Sequence, residues 1–479
     1  MNKKKVASSF LWKLCERGAS QVITIVVQIV LARLLAPEDF GALALIVVFT
    51  NLANVFIQKG FASSIVRKKD ATDEDYNTAF VVSEGIAFAC IAVLFIAAPF
   101  IARFYSNPSI TTYLRTLSIS LIFGALYSIE NAVLVRDMKF KVIFIRSIAA
   151  AVISGTLGIV CAYFGLGVWA LVIQSISQQI ILCVVTYFGC NWKPKVQFSK
   201  SSFQNLFSFG SKILFAELIS IGVEDLRTLI IGKRYTSIDL AYYDRGQYYP
   251  AAAMRGLYDT ISSVMLPVLS KEQDNKTQLE KNVGMSIVLS TYLIFPMFVG
   301  LSAVADLFVN ILLTARWEAS IPFLRLFCIY QLAFPIYGIM RQSLYAIGNS
   351  AGVLKLEIAR GVLFISAIIV GCLISPFAIA IATTMALYST TIIYALYVHK
   401  FISYDVKYVG KCLGISIVQC GLMYLLIAVI GKLPVPRIPM LIIDILVGVT
   451  IYLLTSVLFK NDAFLMLKNF IHAAKGNSK

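Results

Sequence analysis

Residues 31–70 read LARLLAPEDFGALALIVVFTNLANVFIQKGFASSIVRKKD. An apolar run near 41–60 fills the middle, within the span of about 17–25 residues that an α-helix needs to cross a bilayer. Asn51, Asn54 and Gln58 recur inside it at helical spacing, which puts them on one face. Beyond it stand Arg67, Lys68 and Lys69. The stretch therefore predicts one membrane-spanning helix with a polar face and a basic end.

The rest of the chain repeats that pattern. Of 479 residues, 59% are hydrophobic and 14% charged, against about 25% charged in a soluble domain. An ordinary soluble protein is excluded. Apolar runs set against breakers give spans near 10–35, 41–60, 79–102, 112–135, 143–164, 167–189, 208–232, 240–268, 284–305, 319–347, 352–374, 376–400, 408–430 and 439–459. The expected fold is an all-α polytopic membrane protein of about fourteen helices. The longest polar stretches, 67–77, 190–207 and 270–282, are too short for a separate globular domain, and no GxxxxGK[ST] phosphate loop occurs. The basic start MNKKKVASSFLWKLCERG is read as an uncleaved entry to the first span.

Lys and Arg fall unevenly. One set of alternate connectors carries twenty-two, including Lys3 to Lys5, Arg67 to Lys69, Lys271, Lys276 and Lys281, whereas the intervening set carries seven, among them Arg33, Lys233 and Arg316. By the positive-inside rule the rich side is cytoplasmic, with both termini there. The net charge of +17 then reflects cytoplasmic loops, not nucleic-acid binding. Nine cysteines without a CxxC pair predict no disulfide framework. Two histidines, His399 and His472, argue against a histidine metal site, and no metal or cofactor is expected.

The two halves look like copies. Arg33 and Asp39 recur as Lys233 and Asp239 at an offset of 200; Leu114-Arg115 and Tyr127 recur as Leu324-Arg325 and Tyr337 at an offset of 210. Two six-helix lobes are expected, residues 1–200 and 201–403, followed by two added helices and a tail over 404–479. A parallel repeat of this kind implies a substrate path between lobes.

A charge at mid-membrane costs about 2.5–3.5 kcal/mol on insertion scales, so each calls for a partner or a wet cavity. Polar faces recur at helical spacing: Arg17, Gln21, Thr24 and Gln28; Tyr127, Glu130 and Asn131; Glu217, Ser220, Glu224 and Arg227, with Asp225 beside them; Arg245, Tyr249, Arg255 and Asp259; Tyr330, Tyr337 and Arg341; and Lys355, Glu357 and Arg360. Singly these can be interhelical hydrogen bonds or ion pairs, such as Arg255 with Asp259, or Arg227 with Glu224. Together they suit a hydrophilic cavity. Guanidinium groups match phosphate oxygens bidentately, so Arg17, Arg227, Arg255, Arg341 and Arg360, with Tyr249 and Tyr337, are the candidate substrate-binding residues for an anionic, phosphate-bearing ligand. Glu217, Glu224 and Asp225 are the candidates for binding a coupling Na⁺ or H⁺. Prolines 250, 267, 296, 322 and 335 are expected to kink their helices. Tyr242, Tyr243, Tyr248 and Tyr249 are read as an interfacial belt or a sugar-stacking surface. No Ser/His/Asp, Cys/His or HExxH grouping occurs, and no enzyme activity is expected.

Residues 31–70, together with AYYDRGQYYPAAAMRGLYDTISSVMLPVLSKEQDN at 241–275 and the fourteen-span plan, resemble the polysaccharide flippases of the multidrug/oligosaccharidyl-lipid/polysaccharide exporter superfamily, lipopolysaccharide biosynthesis branch. The resemblance covers essentially the whole chain. It implies two lobes in a V that alternate between inward and outward openings and move a polyprenyl-pyrophosphate-linked oligosaccharide to the outer leaflet of a bacterial cytoplasmic membrane. The expected partners are that lipid-linked oligosaccharide, the bilayer, a polysaccharide polymerase and other assembly proteins. The competing readings are a cation-coupled multidrug exporter of the same fold, whose cavity should be dominated by carboxylates and aromatics, and a membrane polysaccharide polymerase, which should carry a sizeable outer loop with acid/base residues. Moving two negative charges outward gains roughly 4.6 kcal/mol per 100 mV, twice the single-charge figure; that could drive export without an ion.

Overall fold

The structure is a computed structural model, and it describes residues 3–68, 70–271 and 275–468. The regular elements among those residues are helices, with no strand. The chain divides into two compact units, Met1–Ala241 and Tyr242–Lys479.

The first unit holds α1 Lys3–Leu34, α2 Pro37–Gln58, α3 Gly60–Arg67, α4 Asp73–Phe104, α5 Ser109–Ser118, α6 Ser120–Arg136, α7 Phe140–Tyr163, α8 Val168–Gly189 and α9 Lys200–Arg234. The second holds most of α10 Ser237–Lys271, then α11 Lys276–Ala303, α12 Ala305–Leu312, a 3-10 turn Ala315–Ser320, α13 Ile321–Leu332, α14 Phe334–Ala346, α15 Ser350–Cys372, α16 Pro376–His399, α17 Val406–Ile430 and α18 Arg437–Leu458. In the first unit α7 packs on α1 and α8, and α6 on α2, α4 and α8. In the second, α15 packs on α16, while α11 packs on α13, α14 and α17. The helix α9, which the sequence reading places in the second lobe, packs against α2, α3 and α4.

Ten helices, or helix pairs joined at a break, are long and apolar enough to cross a membrane among the described residues. The helices α9, α10 and α15 are as long but carry more charge, such as Lys355, Glu357 and Arg360 within α15. The spans break where local chemistry breaks them. In 315–346 the helix stops at Ala333 and restarts with Pro335 in the first turn of α14, where its missing N–H costs nothing. Pro296 instead lies inside α11.

The stretch 31–70 shows how the ends are built. Pro37 opens α2, and the Asp39 carboxylate accepts the Ala36 N–H at 3.1 Å. The equivalent corner 200 residues on is made the same way: Asp239 accepts the Thr236 N–H at 3.1 Å and its hydroxyl at 2.7 Å. Acceptors in a first turn satisfy donors that the helix leaves unpaired and complement its dipole. At the basic end, Lys68 donates to Asp75 at 2.7 Å, and Asp75 in turn accepts the Thr72 N–H at 2.9 Å, fixing the start of α4.

Candidate functional site

Polar side chains meet in the interior of each unit. In the second, the sequence-predicted faces of α14 and α15 converge. Tyr337 and Arg341 are one turn apart on α14, Glu357 and Arg360 nearly one turn apart on α15. Glu357 Oε1 accepts from Tyr337 Oη at 2.5 Å and from Tyr394 Oη, on α16, at 2.7 Å. Its Oε2 accepts from Arg360 Nε at 2.7 Å. One carboxylate thus ties three helices. The Tyr337 and Tyr394 rings meet edge to face at 5.2 Å, and the Arg341 guanidinium lies 5.5 Å from the Tyr337 ring centre. Tyr337 and Tyr394 are buried, whereas the Arg360 and Glu357 side chains keep 18% and 25% exposure. The cluster is therefore anchored in the core and open at its charged edge.

The remaining candidates are dispersed. Arg255 is exposed on α10. Tyr249 is buried, edge-on to Tyr248 at 5.2 Å and to Phe308 at 5.3 Å. The tyrosine cluster read as an interfacial belt or sugar-stacking surface is in part core: Tyr243 is buried against Phe323 at 5.6 Å and Phe327 at 5.2 Å, because this face of α10 meets the aromatic start of α13. Arg245, also buried, lies 5.3 Å from the Tyr248 ring centre and 5.9 Å from that of Trp317. On α9, Glu217 and Arg227 are half-buried and Glu224 is exposed, while Asp225 Oδ2 is buried without a hydrogen-bond partner. The side chain of Arg17 lies outside the described residues.

The first unit buries a guanidinium that sequence reasoning missed. Arg146 of α7 is 3% exposed. It donates from Nη2 to Asn131 Oδ1 at 2.6 Å and from Nη1 to Thr186 Oγ1 at 3.3 Å, and it lies 4.8 Å from the centre of the Tyr127 ring. Beside Asn131, Glu130 is fully buried, with neither carboxylate oxygen hydrogen-bonded. Next to Tyr127, the buried Ser128 hydroxyl also lacks a partner. A cavity of about 390 Å³ opens on this face of α6, lined by Gln58, Lys59, Ser63, Tyr127, Ser128 and Asn131 among others. Asp444 on α18 was missed as well; it is buried, lining an otherwise largely apolar cleft of about 550 Å³ between α11, α12, α17 and α18. Arg146 and Asp444 each interrupt an apolar run alone, and that isolation is the signal that could have found them.

Comparison with known proteins gives concordant results. A family described as "Polysaccharide biosynthesis protein" matches residues 30–322. The lipopolysaccharide biosynthesis protein WzxC of Escherichia coli (strain K12) is 24% identical over 71% of this chain and 70% of its own length. The succinoglycan biosynthesis transport protein ExoT of Rhizobium meliloti (strain 1021) is 21% identical over 68% of this chain and 66% of its own. Among solved structures, a lipid II flippase MurJ in an inward closed conformation superposes with a TM-score of 0.76, at 16% identity, covering 95% of this chain and all of that one. At that identity the likeness speaks for the fold alone.

Proposed function

The chain belongs to the polysaccharide biosynthesis protein family, and from that premise we propose that it is a flippase moving polyprenyl-pyrophosphate-linked oligosaccharide units across a bacterial cytoplasmic membrane. The product would serve O-antigen, capsule or exopolysaccharide assembly. The relatives favour this over the drug-exporter and polymerase readings, because they are named for lipopolysaccharide biosynthesis and for succinoglycan biosynthesis transport. The observation that carries the reading is the Arg341–Tyr337–Glu357–Arg360 cluster, with guanidinium groups held among apolar helices. Charge held there suits an anionic or strongly polar passenger.

In this reading Arg341 and Arg360 engage the pyrophosphate, and Arg17, Arg227 and Arg255 are the further arginines proposed to contact the anionic passenger during transport. Tyr337 acts by holding Glu357, which keeps Arg360 oriented before substrate arrives; Tyr249 acts by fixing its helix. The acidic residues of α9, Glu217, Glu224 and Asp225, are proposed to take up a coupling H⁺ or Na⁺. Transport requires different ion affinity in the two states. The helices α1, α9, α10 and α15 join the ten apolar spans, which makes fourteen crossings with both termini cytoplasmic; an assembly polymerase is the proposed downstream partner.

The test is deletion of the gene with complementation. Loss of one surface polysaccharide and accumulation of its lipid-linked intermediate are expected, restored by the wild type but not by Arg341→Ala or Arg360→Ala. Full complementation by the double variant would remove the pyrophosphate role of the cluster.

A further inference from the structure

The cavity of the first unit has a lining unlike that of the second unit's cluster. Gln58 and Asn131 supply amides, Ser63 and Ser128 hydroxyls, Tyr127 a ring and Lys59 an ammonium; among the described residues no Asp or Glu lines it. Asn131 turns its Oδ1 to the Arg146 guanidinium, which leaves its two N–H donors for a ligand. Gln58 spends one N–H on Asn54 Oδ1 at 2.9 Å and keeps its oxygen and its second N–H. The Ser128 hydroxyl is buried, faces this cavity and has no partner, an arrangement that costs about 1–3 kcal/mol unless something hydrogen-bonds it.

The frame behind this lining is stiff. Lys59 sits at the break between α2 and α3, and Ser64, one turn on from Gly60, donates to Leu206 O of α9 at 2.9 Å. A Cβ on Gly210 would lie 2.7 Å from Gly60 O, so glycine lets α9 press against the start of α3. The Arg146 hydrogen bonds to Asn131 and Thr186 hold α6 from the opposite side. Preformed sites of this size, with a few convergent polar groups, are typical of small-molecule binding.

We propose that this cavity binds a single sugar ring carrying one anionic group. Amides and hydroxyls of mixed donor and acceptor character match a polyhydroxylated ring, and the face of Tyr127 not covered by Arg146 offers stacking. Lys59 supplies the counter-charge as a compact ammonium, without the fork that selects a bidentate oxyanion. A cationic ligand would find no carboxylate here, and an isoprenoid chain would leave the polar groups unpaired. The anionic group is a phosphoryl substituent on the sugar, distinct from the pyrophosphate, or the carboxylate of an acidic sugar. The inference rests on the flippase reading for its biological meaning and names the portion of the passenger that the first unit holds.

Full-length protein in lipid nanodiscs, titrated with glucose 1-phosphate, glucuronic acid and glucose under saturation-transfer NMR, tests it. Saturable, mutually competitive binding of at least one anionic sugar is expected, with glucose at least ten-fold weaker. Preference for glucose 1-phosphate assigns the phosphoryl source, and preference for glucuronic acid the acidic-sugar source. Lys59→Gln should reduce the anionic sugar to the level of glucose, Lys59→Arg should retain most of the binding, and Asn131→Ala should weaken all three. Lys432→Gln, at an exposed position in the second unit and outside both proposed sites, should change none of these affinities. Absence of saturable binding by both anionic sugars, or affinities unaltered by Lys59→Gln, overturns the site. If the sugars bind but reconstituted vesicles move no lipid-linked oligosaccharide, the flippase reading fails and the site stands; transport without sugar binding removes the site and leaves the flippase reading in place.

Discussion

The two units bury arginine in opposite ways. Arg360 in the second rests on a carboxylate that also receives two tyrosine hydroxyls, while Arg146 in the first is held by an amide, a hydroxyl and the face of a ring. A charge compensated by charge gains more in a low dielectric than one compensated by dipoles, but it leaves more unsatisfied when a partner is lost. The second arrangement is a lock whose parts depend on one another. The first is a scaffold that leaves nearby polar groups for a ligand. The position of the counter-charge, more than that of the arginine, decides whether a guanidinium is preorganised by a carboxylate or by dipoles.

The largest expected effect is at the shared carboxylate. Glu357→Ala strands Arg360 and the buried hydroxyls of Tyr337 and Tyr394, and should cost about 3 kcal/mol, the low end for breaking a buried pair since one edge is open. Transport should be lost as well. Thermal unfolding of the purified protein measures the first and vesicle transport the second; a cost under about 1 kcal/mol would show that the lock is not interdependent. Tyr394→Phe removes one hydrogen bond to a charged acceptor without opening a cavity and should cost about 1.5–2 kcal/mol. An intermediate value would assign the carboxylate's contribution bond by bond.

Arg146→Met tests the other side. Its hydrogen-bond partners are neutral, and Asn131 borders a cavity through which water can reach it, so a loss of only about 1–1.5 kcal/mol is expected. A loss as large as that of Glu357→Ala would erase the distinction and point to Glu130 as a hidden counter-charge. In that event Glu130→Gln in the Arg146→Met background should restore stability, a coupling read from the double-mutant cycle.

Why one arrangement is legible in the sequence and the other is not follows from what a sequence displays. Phase along a helix is visible, so Tyr337 with Arg341, and Glu357 with Arg360, stand out as faces from their spacing. Pairing across helices is not visible. Tyr394 gives no sign in its own segment that it will reach a carboxylate 37 residues earlier. Arg146 stands alone in an apolar run, so its isolation marks the position, but no neighbour at helical spacing discloses its partners. The four tyrosines near 242–249 mislead for the same reason: their clustering suggests a surface, whereas the aromatic residues that cover Tyr243 come from α13. The packing of α9 on α2, α3 and α4 likewise depends on close approach at Gly60 and Gly210, which hydropathy does not record.

The smallest expected effect concerns the two corners that are alike. Asp39 and Asp239 each accept a backbone N–H from the residue three positions earlier, and removing such a first-turn acceptor costs about 0.5–2 kcal/mol. The corners differ in surroundings. Asp39 lies beside Gly167, where an added Cβ would come within 3.1 Å of its carboxylate oxygen, whereas Asp239 also accepts from the Thr236 hydroxyl in an exposed turn. Water can replace the lost acceptor at the exposed corner, so Asp239→Ala should cost about 0.5 kcal/mol and Asp39→Ala about 1 kcal/mol. Equal costs measured by thermal unfolding would mean that local capping alone sets the contribution. A larger cost at Asp239 would show that the Thr236 hydroxyl bond outweighs burial, and the similarity of the two corners would then be one of sequence more than of energetics.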